Sequence, residues 1–160
     1  AALQNVDVAT IARDVVSELS VLAPNRLQVS APVTAFAAGD VAELHEAVKN
    51  IVDNAIKYAR GSPVEIAVSV EADTLSLRVC DTGPGMSEQD REHAFDRFYR
   101  GEARSQAEGS GLGLAIAKRA AERSGGTIAI ESGSAAGTCV TIRLPAATPP
   151  FDGNASGVQY

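Results

Sequence analysis

Residues 64–81 read VEIAVSVEADTLSLRVCD, and this stretch decides the fold class. Apolar residues occupy every second position on both sides of the ADT turn, which predicts two strands that each bury one face. A short turn between two such runs indicates an antiparallel hairpin. The same alternation in TIAIES (127–132) and TCVTIRLP (138–145) predicts a second hairpin around Gly133 to Gly137.

The segments around these hairpins show helical periodicity. Apolar residues recur every three or four positions in Val6 to Leu22, Val41 to Tyr58 and Leu112 to Ser124. Asp7 is positioned to cap the first of these helices, and Gly125-Gly126 to end the third. Two short strands, in RLQVSAP (26–32) and VTAFAAGD (33–40), separate the first two helices. Together these elements predict a two-layer α+β sandwich with about three helices on the sheet.

The overall composition is that of one ordinary globular domain. The chain has 160 residues, of which 45% are apolar and 21% charged. A net charge of −6 without a dense basic stripe argues against nucleic-acid binding. No apolar run approaches the roughly 18 residues of a membrane span, and no signal-peptide pattern precedes the first helix. We therefore expect a soluble, cytoplasmic segment, which could be a piece of a membrane-anchored protein. Cys80 and Cys139 are far apart in the sequence, and we expect buried, reduced thiols.

The segment EGSGLGLAIA, Glu108 to Ala117, places three alternating glycines at the start of a helical pattern. Glycine lets a ligand approach the main chain closely, and the first turn of a helix offers unpaired N–H groups and a partial positive charge. A phosphate group suits such a place. The alternative is a tight turn followed by a helix, and this motif alone leaves both possible.

The second predicted helix carries four polar residues at i, i+4, i+7 and i+8, namely Asn50, Asn54, Lys57 and Tyr58. This spacing predicts one shared face opposite the apolar stripe. Asparagine amide oxygens suit Mg²⁺, and a lysine one turn later suits a phosphate. A solvated helix face is the alternative, although two asparagines within a helix are unfavourable without a reason.

Asp81 ends a predicted strand immediately before TGPG (82–85). A carboxylate there could accept a hydrogen bond from an exocyclic amine such as that of adenine, and Gly83 and Gly85 would allow a tight turn beside a flat ligand. An ordinary Asp-Thr-Gly turn is the alternative. The long polar segment that follows contains arginines that could pair with anionic oxygens and aromatic residues that could anchor it on the core. These are Arg91, Arg97, Arg100 and Arg104, with Phe95, Phe98 and Tyr99.

In chain order the motifs are NIVDNAIKYA (50–59), DTGPGM (81–86), FDRFYRG (95–101), GSGLGLAIA (109–117) and Gly137-Thr138. This ordered set resembles the ATP-binding domain of bacterial sensor histidine kinases, in the superfamily that includes DNA gyrase, Hsp90 and MutL. The resemblance covers about Val6 to Pro145. It implies a mixed, mostly antiparallel sheet backed by helices, with ATP under a flexible lid at Ser87 to Glu108. We expect residues 1–145 to form the domain and 146–160 to be a flexible tail.

The resemblance also implies roles for individual residues. Asn54 would coordinate Mg²⁺ with Asn50 nearby, Lys57 and Arg97 would contact phosphate, and Tyr58 would flank the nucleotide. Asp81 would bind the adenine amine with a water held at Thr138, in a pocket shaped by Gly83 and Gly85. The lid hinge and the phosphate-binding backbone would come from Gly109, Gly111, Leu112 and Gly113.

A sensor kinase phosphorylates a histidine in a pattern such as His-Glu-Leu-Arg-x-Pro-Leu. His45-Glu46 copies only the first two letters and His93 has no such motif, so we expect His45 on a helix surface and the acceptor on a separate dimerisation domain. A downstream response regulator would then be a further partner. Gyrase-like ATPases and anti-sigma serine kinases carry a glutamate at the position of Asn50, and an amide cannot act as a general base. These two classes, and a degenerate nucleotide-sensing module, are the alternatives.

Overall fold

The computed structural model describes residues 3–59, 61–96, 114–132 and 137–148. Within these ranges the helices are α1 (Val8–Leu19), α2 (Val41–Tyr58), α3 (Glu88–Glu92) and α4 (Leu114–Arg123). The strands are β1 (Gln4–Asp7), β2 (Leu27–Ser30), β3 (Phe36–Gly39), β4 (Val64–Glu71), β5 (Thr74–Asp81), β6 (Thr127–Ser132) and β7 (Thr138–Pro145).

The two predicted hairpins form most of a five-stranded sheet with the order β2-β4-β5-β7-β6. In the first hairpin, β4 and β5 pair from Val64 opposite Asp81 to Glu71 opposite Thr74. The strand β7 pairs antiparallel with both β5 and β6, whereas β2 runs parallel to β4. The sheet is therefore mixed and mostly antiparallel, which confirms the expected fold class.

One face of this sheet packs against α1, α2 and α4 and forms the core. Side chains alternate along a strand, so Leu75, Leu77 and Val79 of β5 point toward the helices and are almost fully buried. From α2, Ile51 and Val52 belong to the same core cluster and are equally buried. Burying each of these aliphatic side chains contributes about 1.5–3 kcal/mol, so this contact holds the two layers together.

The first two helices begin at aspartate N-caps. Asp7 accepts hydrogen bonds from the N–H groups of Ala9 (3.2 Å) and Ala35 (2.9 Å), and Asp40 accepts one from the N–H of Glu43 (3.0 Å). The bounds of α2 are those predicted, whereas α1 is shorter at both ends than the predicted Val6 to Leu22. The residues before Val8 instead form β1, which pairs with β3 in a separate two-stranded sheet. A non-local pairing of four residues leaves no periodic signal in the sequence, which explains the error.

The segment predicted to be a lid begins with the short helix α3, which the sequence pattern did not indicate. Ser87 caps it by accepting from the N–H of Asp90 at 3.0 Å. Phe95 packs against the core, as expected for an anchor. None of the helices in the described ranges has the length and apolar character needed to cross a bilayer.

The chain after β7 stays in contact with the two-stranded sheet. Ala146 forms a bridge with Ala37, and the N–H of Ala147 donates to the carbonyl of Phe36 at 2.7 Å. The division of the chain after residue 145 remains a prediction, and residues 149–160 lie outside the described ranges.

The prediction of two reduced thiols is wrong, because Cys80 and Cys139 form a disulfide. They are 59 residues apart in the sequence, yet β5 and β7 are neighbours and place the two residues directly opposite each other. Alternation revealed both strands but not which strands pair, so the sequence could not show this proximity.

Candidate functional site

A cleft of about 460 Å³ opens between α2, the ends of β5 and β7, the loop after β5, and the start of α4. Its lining brings together five of the predicted site residues, which are Asn54, Tyr58, Asp81, Gly85 and Thr138. Residues from three separate predicted motifs therefore converge on one cavity.

Asp81 lies at the end of β5, where its carboxylate is held by the main chain. Its Oδ1 atom accepts from the N–H of Gly83 at 2.9 Å and lies 3.4 Å from the N–H of Thr138. Both contacts use the same oxygen, so Oδ2 is left to accept a hydrogen bond from a ligand in the cleft.

Burial raises the pKa of Asp81 above its usual range, while the N–H groups of Gly83 and Thr138 and the positive charge of Arg26 act to lower it. The Arg26 guanidinium donates to the carbonyls of Ala59 (2.6 Å) and Ser62 (2.8 Å) just after α2. This arginine therefore fixes the end of α2 and places a cation near the half-buried carboxylate. An isolated arginine after a Pro-Asn turn carries no sequence signal for this role, so it could not be predicted from the sequence.

Asn54 and Tyr58 project from α2 into the cleft beside the apolar residues Ile51 and Ala55. The prediction that the polar face lies opposite the apolar stripe is therefore wrong for these two. Successive helical residues are about 100° apart, so Tyr58 lies only about 20° from Ile51 around the helix. A polar face next to the core, rather than opposite it, places these side chains at the edge of the cleft.

Asn50 and Lys57 lie on α2 but not in the described lining of the cleft. The Lys57 Nζ atom instead forms an ion pair with Asp53 Oδ2 at 3.1 Å, and about one third of each side chain is exposed. Such a pair on a helix surface contributes little, so it leaves the lysine available to another anion.

The loop after β5 closes one side of the cleft through Pro84, Gly85 and Met86. Gly85 has φ +79°, a conformation that L side chains rarely adopt. A glycine is therefore required for this loop to turn along the cleft wall.

Other predicted site residues lie outside the described residues, namely Arg97, Gly109, Gly111, Leu112 and Gly113.

The two histidines lie on helix surfaces or beside them. His45 pairs with Glu18 across the surface of α1 and α2, with 3.3 Å between Nε2 and Oε1, and its side chain is one third exposed. This confirms the predicted placement of His45 on a helix surface. His93 lies just after α3, and its Nδ1 atom is 2.8 Å from Asp96 Oδ2.

The remaining walls of the cleft are apolar, and several of their residues belong to the apolar stripes from which the buried faces of the helices and strands are predicted. They include Ile51, Val79, Leu114 and Val140, together with Met86. Their periodicity is that of any buried residue, so the pattern alone could not separate core from pocket lining. A half-buried acceptor beside apolar walls suits an apolar heterocycle that carries an amine, and the amide of Asn54 adds a polar group to the lining.

A family model described as histidine kinase-, DNA gyrase B- and HSP90-like ATPase matches residues 39–148, which include α2, the cleft and both hairpins. The chain belongs to this family. The fold described above is therefore that of an ATPase domain of this family, as the order of the motifs implied.

Relatives of the chain are sensor kinases. It is 40% identical to the sensor-like histidine kinase SenX3 of Mycobacterium tuberculosis over 150 residues, covering 90% of this chain and 37% of SenX3. The chain therefore spans about a third of the length of such relatives. Among solved structures, the mycobacterial sensor histidine kinase MprB has a TM-score of 0.79 at 27% identity, with 92% of this chain and 99% of that one covered. The ATP-binding domain of PrrB from Mycobacterium tuberculosis has a TM-score of 0.72 at 26% identity, with 91% and 98% covered.

Proposed function

We propose that this chain binds Mg²⁺-ATP in the cleft and donates the γ-phosphate to a histidine on a separate dimerisation domain of the same sensor kinase. The observation that carries the proposal is the convergence of Asn54, Asp81 and Thr138 on one cavity. A cytoplasmic location and a downstream response regulator belong to the same proposal, since a phosphohistidine in such a kinase is passed to a receiver protein.

The adenine ring would lie at the buried end of the cleft. The Oδ2 atom of Asp81 accepts from the exocyclic amine, and Thr138 supports a water beside it. Tyr58 flanks the ring, while the loop with Gly83 and Gly85 provides its close wall. The acceptor at Asp81 favours adenine over guanine, because guanine presents an oxygen where adenine presents its exocyclic amine.

The triphosphate would extend past Asn54. Among the described residues no group of three or more His, Cys, Asp or Glu side chains could hold a metal ion unaided. A Mg²⁺ ion that keeps its waters and shares the nucleotide phosphates needs only one or two oxygen ligands from the protein. Asn54 fits that need, with Asn50 one turn earlier as a second candidate. When bound, the ion neutralises phosphate charge.

Positive side chains would complete the phosphate site. Lys57 is one turn from Asn54, and Arg97 and the backbone of Gly109, Gly111, Leu112 and Gly113 would contact phosphate from the lid side. Phosphoryl transfer depends mainly on positioning and on charge stabilisation. Asn50 cannot deprotonate a water molecule as a glutamate would, so the arrangement favours transfer to a histidine over hydrolysis.

The test is incubation of this chain with γ-labelled ATP, with and without the helical hairpin that carries the acceptor histidine. We expect the chain alone to turn ATP over very slowly and to gain no phosphohistidine, and the hairpin to gain acid-labile label. Asn54→Ala should abolish the transfer. Lys49→Ala is the matched control on the same helix, because within the described residues Lys49 pairs with Glu18 of α1 (3.3 Å) and not with the cleft, so its loss should leave transfer unchanged.

The alternatives give different labels. Acid-stable label on a partner protein would indicate a serine kinase. Rapid release of free phosphate, lost in Glu46→Ala, would indicate a gyrase-like ATPase in which Glu46 replaces the missing glutamate. Acid-labile label on this chain alone, lost in His45→Ala, would overturn the placement of the acceptor on a separate domain.

A further inference from the structure

The disulfide adjoins both polar walls of the cleft. Cys80 immediately precedes Asp81 on β5, and Cys139 immediately follows Thr138 on β7. Asp81 and Thr138 line the cleft and contact each other across the two strands. The bond therefore clamps the two strands one residue away from the carboxylate that would recognise the base.

The two sulfur atoms lie on the sheet face that points away from the helices. Val79 and Asp81 face the cleft, so alternation places Cys80 on the opposite face, and the same argument applies to Cys139 between Thr138 and Val140. On that face Arg78 of β5 reaches Glu131 of β6 across β7, at 3.9 Å. Cys139 is only 4% exposed, whereas Cys80 is partly exposed. Cys80 is therefore the more exposed partner of the bond, on the face away from the cleft.

The geometry of the cleft depends on a close approach of β5 and β7 at this end. The Thr138 N–H reaches the Asp81 carboxylate at 3.4 Å. At Gly137 the strands are so close that a Cβ atom would lie 2.0 Å from the carbonyl oxygen of Asp81. The sulfur–sulfur bond fixes the distance between the two strands beside these contacts, so reduction would release this constraint.

We propose that Cys80 and Cys139 form a thiol–disulfide exchange site whose oxidation state sets the affinity of the cleft for adenine nucleotides. The inference rests on the proposed function, which places the cleft in the cytoplasm and ATP within it. Disulfides in a reducing compartment are usually transient or redox-sensing rather than structural. The substrates of this site are small dithiols and disulfides.

The exchange balances with a dithiol as reductant. A thiolate of the dithiol attacks the Cys80 sulfur, the sulfur–sulfur bond breaks, and Cys139 leaves as a thiolate that takes up a proton. The second thiol of the dithiol then attacks the mixed disulfide, which releases Cys80 as a thiol and leaves the reagent as a cyclic disulfide. The reverse reaction, with a small disulfide as oxidant, restores the bond.

The oxidised form is expected to bind nucleotide more tightly. In the oxidised form the bonded strands already hold the Thr138 N–H and the Asp81 carboxylate in place, so binding costs less conformational entropy. Reduction is expected to weaken ATP binding by about three- to tenfold, which corresponds to a modest loss of preorganisation. GTP binding, which does not depend on the amine acceptor, is expected to change less.

The experiment compares the ATP affinity of the 160-residue chain by titration calorimetry after equilibration with glutathione disulfide or with reduced dithiothreitol. Alkylation and mass spectrometry report the state of the two cysteines in each sample, and circular dichroism reports folding. The control is Cys80→Ser/Cys139→Ser, which should bind ATP like the reduced chain and ignore the redox buffer. If this variant does not fold, the comparison within the unmodified chain still decides the matter.

Equal ATP affinity in the oxidised and reduced chain would overturn the inference while leaving the proposed function intact. So would two cysteines that remain reduced in the oxidising buffer, or a redox effect that persists in the folded double variant. Failure of ATP to bind in either state would overturn both the proposed function and the inference.

Discussion

Replacing Asp81 with asparagine tests the recognition of the base. In Asp81→Asn the Oδ1 atom can still accept from the N–H of Gly83, at 2.9 Å in the parent structure. The second oxygen becomes an NH₂ group, so an amine of the ligand would meet a donor instead of an acceptor. Loss of a hydrogen bond to a charged acceptor costs about 1–3 kcal/mol. We therefore expect ATP to bind about 5- to 150-fold more weakly.

The assay is titration calorimetry with ATP and GTP on this variant, on the parent chain and on Asp73→Asn. Asp73 is an exposed aspartate at the other end of the same hairpin, so its substitution controls for the change of charge. Guanine carries an oxygen in place of the amine. The affinity of Asp81→Asn for GTP should therefore fall less than its affinity for ATP, or should rise. Equal losses of ATP and GTP affinity would refute the role of Asp81 in reading the base.

The same substitution has an expected effect on folding. Burial raises the pKa of Asp81, so the folded chain holds the proton more tightly than the unfolded chain does. The free energy of unfolding therefore decreases as the pH rises from the ordinary aspartate pKa of 3.8 through the raised value. Asp81→Asn removes this decrease. Urea denaturation at neutral pH should show the variant to be at least as stable as the parent, which separates loss of binding from loss of folding.

Three further substitutions test the fold by urea denaturation. Asp7→Ala should lower the free energy of unfolding by about 0.5–2 kcal/mol at neutral pH, as for a lost N-cap. Burial acts to raise the pKa of Asp7, but its hydrogen bonds outweigh burial and lower that pKa, so the loss of stability should fade as the pH falls through the lowered value. A loss equal to that of the exposed control Asp14→Ala would contradict the capping role. Arg26→Met should lower stability by about 1.5–3 kcal/mol because its guanidinium bonds carbonyls at the end of α2, and an unchanged midpoint would exclude that role. Thr141→Val should raise the free energy of unfolding by about 1 kcal/mol, because the buried Thr141 hydroxyl lacks a hydrogen-bond partner in the described structure. The same substitution at the exposed Thr127 should not raise it. A loss of stability in Thr141→Val would show that the hydroxyl has a hydrogen-bond partner.

Local patterns predicted the elements of this fold, and they failed where distant segments meet. The bounds of α2 could be predicted because its apolar residues keep the helical period over the whole of Val41–Tyr58. The strand β1 was missed because its pairing with β3 leaves no local periodicity. The same reason hid the disulfide, which depends on β5 and β7 being neighbours.

The candidate site shows the same division. Motif residues such as Asn54 and Asp81 were identified because glycine-rich turns and mid-helix asparagines are unusual in a plain scaffold. The walls formed by Ile51 and Leu114 look like core in the sequence, since pocket lining and core share the same apolar period. Arg26 acts through carbonyl groups after α2, and the sequence gives no sign that these groups lie within its reach.

The central claim is that an adenine nucleotide occupies the cleft beside Asp81, and a backbone NMR titration with ATP and Mg²⁺ tests it most directly. The account predicts that the largest amide shifts fall on Gly83, Gly85 and Thr138, which surround that carboxylate. Shifts confined to the shallow groove at Gly126 and Arg143 at the opposite end of the sheet, or no saturable shifts, would contradict it.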